Sequence, residues 1–311
     1  MKLLSIVTPS FNEEGGIAAC YDAVRRVMAE SLPGYAYEHL FIDNASTDRT
    51  VEILRAIAAA DERVRVIVNT RNFGAARSAC HAMLQARGDA MVPILADLQT
   101  PPDLLPAMVD LWDRGATVVV ARRRASAETW GWRTVRRTFY RVLRSVSRVE
   151  QIPDFIGFGL YDRRFLDVFA TLNEPEPYFR GLVPEIGFEH ATVEYDQPAR
   201  ASGRSSYRIR DYIELAVLAL TTYSRAPLRL LTLGGLGAAC LTALVALALV
   251  AIRLRMGTPV TAGSAPILVA IAFVGALQLF AIGLVGEYVG LLLTYARRFP
   301  LVVEDERIND G

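Results

Sequence analysis

Over the first 121 residues, apolar runs of strand length alternate with amphipathic stretches. Leu3–Thr8, Tyr37–Ile42, Val64–Asn69, Ala90–Leu95 and Thr117–Ala121 are the apolar-rich runs. Between them, Gly16–Glu30, Asp48–Ala60, Ala75–Ala86 and Pro102–Arg114 place apolar residues three and four apart, the period of a helix. Strict alternation of the two predicts an α/β body with a parallel sheet covered by helices on both faces. Ligands of such sheets bind beyond the carboxyl ends of the strands, so the informative polar residues are those that follow each strand.

The pattern then changes. In Trp130–Val149, Arg133, Arg137, Arg141, Arg144 and Arg148 line one side of a helical repeat, opposite Trp132, Val135, Phe139, Val142, Leu143 and Val146. Such a helix either lies on an anionic leaflet or presents an ordinary solvated arginine face. Tyr207–Tyr223 is a second amphipathic candidate. Beyond it, Leu230–Ile252 is 23 residues without a charge, and Met256–Gly286 is also uncharged, densest in apolar residues from Ala265 onward. Roughly 20 apolar residues of helix cross a ~30 Å hydrocarbon core, so both runs are long enough. Gly234, Gly235, Gly237, Ala238 and Ala239 permit close helix contact in lipid, which is compatible with a homo-oligomer.

Composition sharpens this division. The chain has 311 residues, 52% of them apolar, yet 22% are charged and the net charge is +1. Mean hydropathy is +0.26, high for a soluble domain so densely charged. Only Arg229, Arg253, Arg255 and Glu287 are charged between Leu228 and Tyr295, so the rest of the chain has an ordinary soluble composition. A water-soluble body, residues 1–205, is therefore expected to lead through a juxtamembrane helix, 206–227, into a membrane hairpin, 228–296, and a tail, 297–311. The predicted spans are about 230–252 and 265–290. Arg225, Arg229, Arg297 and Arg298 flank the hairpin against Arg253 and Arg255 in its loop, which puts body and tail in the cytoplasm. Glu287 either snorkels or serves a membrane-side function. No secretory leader is apparent, because the apolar stretch Leu3–Val7 is short and ends at Pro9. Cys20, Cys80 and Cys240 have no CxxC spacing and read as buried reduced thiols. Near-zero net charge gives no support for a nucleic-acid partner.

The strand ends carry the chemistry. They read Pro9-Ser10-Phe11-Asn12-Glu13-Glu14, then Asp43-Asn44-Ala45-Ser46-Thr47-Asp48-Arg49-Thr50, then Asn69-Thr70-Arg71-Asn72-Phe73-Gly74, then Asp97-Leu98-Gln99-Thr100-Pro101-Pro102. Carboxylates there can accept from base and ribose hydroxyls, and Arg71 can face phosphate oxygens. Asp97 with Gln99 offers oxygen ligands for a hard divalent cation, which would neutralise a leaving diphosphate. Singly, each cluster could be no more than a helix cap, with Ser46 or Thr47 starting a helix and Asp48 in its first turn. Four in succession argue for a ligand.

Taken together, these motifs resemble family 2 glycosyltransferases with a GT-A fold. Arg180-Gly181-Leu182, Ile186-Gly187-Phe188, Arg200 to Tyr207, Ala226-Pro227-Leu228-Arg229 and Gly286-Glu287-Tyr288 narrow the resemblance to the polyprenyl-phosphate glycosyltransferases, over nearly the whole chain. It implies a Rossmann-like, mostly parallel sheet with helices on both faces and a C-terminal two-helix transmembrane hairpin. It also implies inverting transfer of a sugar from a nucleotide sugar, a UDP-sugar by preference, to undecaprenyl phosphate. The setting would be cell-envelope synthesis, with a multi-pass enzyme in a bacterial inner membrane facing the cytoplasm. By position, Pro9, Asn12, Glu14, Asp43, Asp48 and Arg71 would hold the nucleotide. Asp97 and Gln99 would hold Mg²⁺ or Mn²⁺. Arg122 and Arg136 match arginines near the phosphates, with solvated surface charge as the bland reading. Arg200, Ser205 and Tyr207 match a loop that closes over the donor.

Two departures stand out. Where the family commonly has Asp-x-Asp-x-Gln, Leu95 occupies the first position, leaving the metal site one carboxylate short. A Gly-Asp-Phe-Arg-like segment is unmatched around Ile156–Gly159, and Asp154 is the nearest substitute acid. An alternative is thus a catalytically impaired relative that binds nucleotide sugar or lipid as a partner. A processive polysaccharide synthase is disfavoured, because Gln197-Pro198-Ala199-Arg200 is followed by alanine rather than tryptophan.

Overall fold

A computed structural model of the chain describes residues 1–124, 152–172, 174, 177–198, 264–296 and 299–310, plus helical residues at 233–235, 237–238, 241, 244 and 255. The chain divides into two compact units: one holds the sheet and the residues from Arg298 onward, the other the long apolar helix.

The expected alternation is present through the fifth strand. In order come β1 (Leu3–Ser10), α1 (Ile17–Ser31), β2 (Ala36–Asp43), α2 (Thr50–Ala60), β3 (Val64–Asn69), α3 (Ala75–Leu84), β4 (Ala90–Pro93), α4 (Leu105–Asp113) and β5 (Val118–Arg123). A short 3₁₀ turn, Pro102–Leu104, opens α4. Helices are amphipathic as read: α1 buries Ile17, Cys20, Val24, Val27 and Met28, one stripe at helical spacing. It stops before Pro33-Gly34, which cannot extend it.

Strict alternation then ends. β6 (Phe155–Asp162), α5 (Arg163–Thr171), α6 (Phe179–Ile186) and β7 (His190–Tyr195) follow, then α7 (Ser264–Ala296) and β8 (Glu304–Ile308). One eight-stranded sheet runs β7-β5-β6-β4-β1-β2-β3-β8. The β1–β2, β1–β4, β2–β3 and β5–β7 ladders are parallel. β6 runs antiparallel between β4 and β5, and β8 antiparallel along β3. The mostly parallel sheet is thus as expected, with two antiparallel additions.

Both faces are covered. α1 and α4 bury Cys20, Val24, Met108 and Trp112 against Leu4, Ile6, Val92, Val119 and Leu160. α2 adds Leu54 and Ala58 over Phe41, Val64 and Val66 on that face. α3, α5 and α6 close the other with Met83, Phe165, Phe169 and Leu182 against Val7, Ile42, Met91 and Val120. Cys20 and Cys80 are free and buried, and burial pushes each thiol up to about 12, so both are inert as nucleophiles.

α7 is 33 residues long, about 50 Å at 1.5 Å per residue. Its stretch Phe273–Gly290 is long and apolar enough to cross a membrane, with mean hydropathy 1.5 and no part of it buried. The helix as a whole includes the positions of the predicted second span, about 265–290. Of the predicted first span, only a few helical residues are described. The basic stretch Trp130–Val149, the Tyr207–Tyr223 stretch, Cys240 and the site candidates Arg136, Arg200, Ser205 and Tyr207 lie outside the described residues.

Candidate functional site

The strand order sets the place. β1 lies between β2 and β4, and the chain returns from β3 past both β2 and β1 to form β4. That reversal is a topological switch point, where loops splay apart and leave a crevice beyond the carboxyl ends. All four motif loops emerge at this edge. Because β6 is antiparallel, its first residues return there too: Phe155 pairs with Arg122, and the Arg123 N–H donates to the Asp154 carbonyl at 3.3 Å.

The first two loops are laced together. The Asn12 N–H donates to Ser46 Oγ at 2.8 Å, and Asn12 Oδ1 accepts from the Thr47 N–H at 2.8 Å. The Glu14 N–H donates to Asp48 Oδ2 at 3.1 Å, and Glu14 Oε2 accepts from the Arg49 N–H at 3.1 Å. The Glu13 N–H donates to Thr50 Oγ1 at 2.9 Å. Asp43 is fully buried and accepts from the Ser46 N–H at 2.8 Å and from Ser46 Oγ at 2.5 Å. Pro9, half-buried, pairs with Ile42 beside it. α2 starts at Thr50 without a side-chain cap on Arg49. The capping reading of Ser46 and Thr47 is therefore replaced: Ser46 Oγ serves Asp43, and Asp48 Oδ1 accepts from the Thr50 N–H at 3.0 Å.

The two carboxylates differ in acidity. Burial raises the Asp43 carboxyl, partly offset by hydrogen bonds from Ser46 and Ser10. Burial works against ionised Asp48 too, but bonds from Thr50 and the Glu14 N–H prevail and lower it.

The third loop rests on buried amides. Asn44 Oδ1 accepts from Asn69 Nδ2 at 3.2 Å and from the Phe73 N–H at 3.0 Å, while Asn44 Nδ2 donates to Asn72 Oδ1 at 2.9 Å. Arg71 is exposed and holds its guanidinium over the Phe73 ring, 4.0 Å from the centroid. Gly74, at φ 89°, then turns the chain into α3, a conformation that favours glycine.

In the fourth loop Asp97 is 5% exposed, and its Oδ1 accepts from the Gln99 N–H at 3.1 Å. The Leu95 N–H donates to Thr100 Oγ1 at 2.7 Å. Among the described residues, no group of three or more His, Cys, Asp or Glu is gathered to hold a metal. The donor set does fit a cation that takes few protein ligands: Mg²⁺ binds through one or two carboxylates and completes its shell with water and substrate phosphates. Asp97, buried at the switch point beside Gln99, is the one acid of the Asp97–Pro102 motif positioned for this.

Pro9, Asn12, Glu14, Asp43, Asp48, Arg71, Asp97 and Gln99 therefore share one sheet edge with Arg122 and Asp154. Three further residues escape sequence reasoning. Arg123 follows Arg122 and donates from Nη1 to Gln197 Oε1 at 2.8 Å. Asn44 organises the third loop. Tyr195, register partner of Arg123 in β7, is 4% exposed, and its hydroxyl has no hydrogen-bond partner among the described residues, as is true of Arg122 Nε and Arg123 Nε. For Arg123 and Tyr195 the signal is spatial: strands β5 and β7 meet 72 residues apart in the sequence.

A sheet of this order with acidic and arginine-bearing loops at the switch point is the architecture of the GT-A glycosyltransferases. The sequence model described as glycosyl transferase family 2 matches residues 5–169, more than half of the chain. The chain belongs to that family and is a glycosyltransferase. It is 34% identical over 300 residues to the uncharacterised glycosyltransferase YkcC of Bacillus subtilis (strain 168), covering 96% of this chain and 92% of the relative. It is 32% identical over 309 residues to the bactoprenol glucosyl transferase of Shigella phage SfV, covering 98% of this chain and 99% of the relative. Among solved structures, Mycobacterium tuberculosis glucosyl-3-phosphoglycerate synthase with Mg²⁺ and UDP matches at 18% identity and TM-score 0.44, covering 71% of this chain and 78% of that one.

Proposed function

We propose that the enzyme transfers a hexose from a nucleotide sugar, a UDP-sugar in preference to a GDP-sugar, to undecaprenyl phosphate, with inversion at the anomeric carbon. The observation that carries this reading is the end-to-end match to a bactoprenol glucosyl transferase, which extends through α7 and the tail. Physical chemistry supports it: a soluble sheet edge equipped for an anionic donor shares a chain with a helix apolar enough for lipid.

The acceptor oxygen is already anionic near neutral pH, so no strong general base is needed. It attacks the anomeric carbon, the new carbon–oxygen bond forms as the bond to the diphosphate breaks, and the electron pair leaves with the nucleotide. The protein's work is to position the partners and neutralise charge. Asp43 and the laced Asn12, Glu14 and Asp48 hold the nucleotide end, with Pro9 and Arg71 alongside. Arg122 and Arg136 face the phosphates, and Asp154 stands in for the unmatched acid. Arg200, Ser205 and Tyr207 belong to the closing loop. Asp97 and Gln99 would hold Mg²⁺ or Mn²⁺, which when bound supplies positive charge to the leaving diphosphate. Leu230–Ile252 and α7 form a hairpin in a bacterial inner membrane, with the sheet unit in the cytoplasm.

The test is turnover. Full-length enzyme in membranes with undecaprenyl phosphate and radiolabelled UDP-glucose is expected to yield an organic-soluble sugar lipid. Asp97→Asn should lower its rate on the order of 10²–10³-fold. No lipid product with UDP-glucose, UDP-N-acetylglucosamine or GDP-mannose would sink the proposal. Leu95, which leaves Asp97 without a second acid, favours one competing reading, a binding partner without turnover. Nucleotide binding without transfer would support it.

A further inference from the structure

The segment Leu301–Asp310 is joined to the sheet and to two of its helices. β8 lies antiparallel to β3, with Val66 opposite Ile308 and Val68 opposite Glu306, and the register shifts at Val68/Asn69, where the third motif loop begins. Just beyond, the Val303 carbonyl accepts from both the Thr70 N–H, at 3.0 Å, and Thr70 Oγ1, at 3.1 Å. Thr70 immediately precedes Arg71. Val302 is buried, and Leu301 packs on the core under α3.

The same segment grips both helices that grow out of donor loops. Glu306 pairs with Arg55 of α2, and Asn309 Nδ2 donates to the Ala58 carbonyl at 2.6 Å. Glu304 pairs with His81 of α3. At the far end Asp310 pairs with buried Arg65, which also binds buried Glu38 at 2.7 Å. α2 starts where the Asp43–Thr50 loop ends, and α3 starts where the Arg71–Gly74 turn ends. The segment is thus tied to both helices and to Thr70.

We propose that the segment Leu301–Asp310 is a positioning element of the donor site: Val303 fixes Thr70, and the tail's ion pairs hold α2 and α3 so that Arg71 and Asp43 keep their spacing. This rests on the reading that these loops hold the nucleotide. One neutral hydrogen bond lost at such a joint corresponds to roughly a 2- to 10-fold change.

The experiment uses the full-length enzyme in nanodiscs. UDP affinity is measured by titration, KM for donor and for undecaprenyl phosphate by turnover, and Tm on the same samples. Thr70→Val and Glu306→Gln are expected to weaken UDP binding and raise the donor KM about 2- to 10-fold. The acceptor KM should stay unchanged, and Thr70→Ser, which keeps the hydroxyl, should restore wild-type values. Unchanged donor KM in both variants would overturn the inference, and so would equal losses toward donor and acceptor that track a fall in Tm. Asp43→Asn serves as reference. If it binds UDP as the wild type does, the donor-site reading itself has failed, and the inference with it.

Discussion

Asn12, Ala45, Leu98 and Asp154 carry side chains yet hold φ between 55° and 62°. Left-handed backbone costs most residues free energy and persists where the surroundings over-determine it. All four lie in loops at one sheet edge, so the strain maps the candidate site independently of any motif. Among the described non-glycine residues with positive φ, Asn309 of the tail is the fifth, and its side chain is bonded to two carbonyls. The residue scale also holds a buried switch in stability. His39 is fully buried, stacked on Phe41 at 4.0 Å between centroids, with Nε2 3.0 Å from Thr8 Oγ1. Burial lowers its imidazole to about 3, with Asp61 pulling weakly the other way. An unfolded chain takes up this proton below about 6.5, whereas the folded one waits until about 3, so acid favours unfolding across that interval. The slope approaches about 1.4 kcal/mol per pH unit. Wild-type Tm should therefore drop between pH 6.5 and 4.5, and His39→Leu should flatten that drop. An equal drop in both proteins would refute the assignment.

At the element scale, the first five strands and four helices are legible because each buries a continuous run or a single stripe. The four motif loops are legible for the same reason, since a strand end is visible wherever an apolar run stops. β6 and β8 are not. β6, Phe-Ile-Gly-Phe-Gly-Leu-Tyr-Asp, carries Gly157 and Gly159, which weaken a strand pattern. Gly159 has a different purpose: a Cβ there would collide with the Val119 carbonyl oxygen of β5. Gly159→Ala should destabilise the sheet by about 1–3 kcal/mol, measured by denaturant titration. Gly34→Ala, with nothing within 4 Å of its added carbon, should stay within about 0.5 kcal/mol. Equal effects would contradict the close-approach argument. β8 has four charges in five residues, Glu304 to Arg307, and reads as a solvated tail. Its partners Arg55 and His81 lie more than 220 positions away, so no local signal announces it.

On the scale of the whole molecule, the tail's return to β3 has a topological consequence. Hydrogen-bonded strands cannot pair across a lipid bilayer, so both ends of the chain occupy one aqueous compartment. Any path that leaves a compartment and comes back crosses the boundary an even number of times. If, as proposed above, α7 crosses the membrane, parity asks for a second crossing, and the uncharged run Leu230–Ile252 is the sequence's candidate for it. Compartment-sensitive reporters fused to Met1 and to Gly311 should therefore give the same signal. Opposite signals would mean that β8 leaves the sheet in the membrane-embedded enzyme.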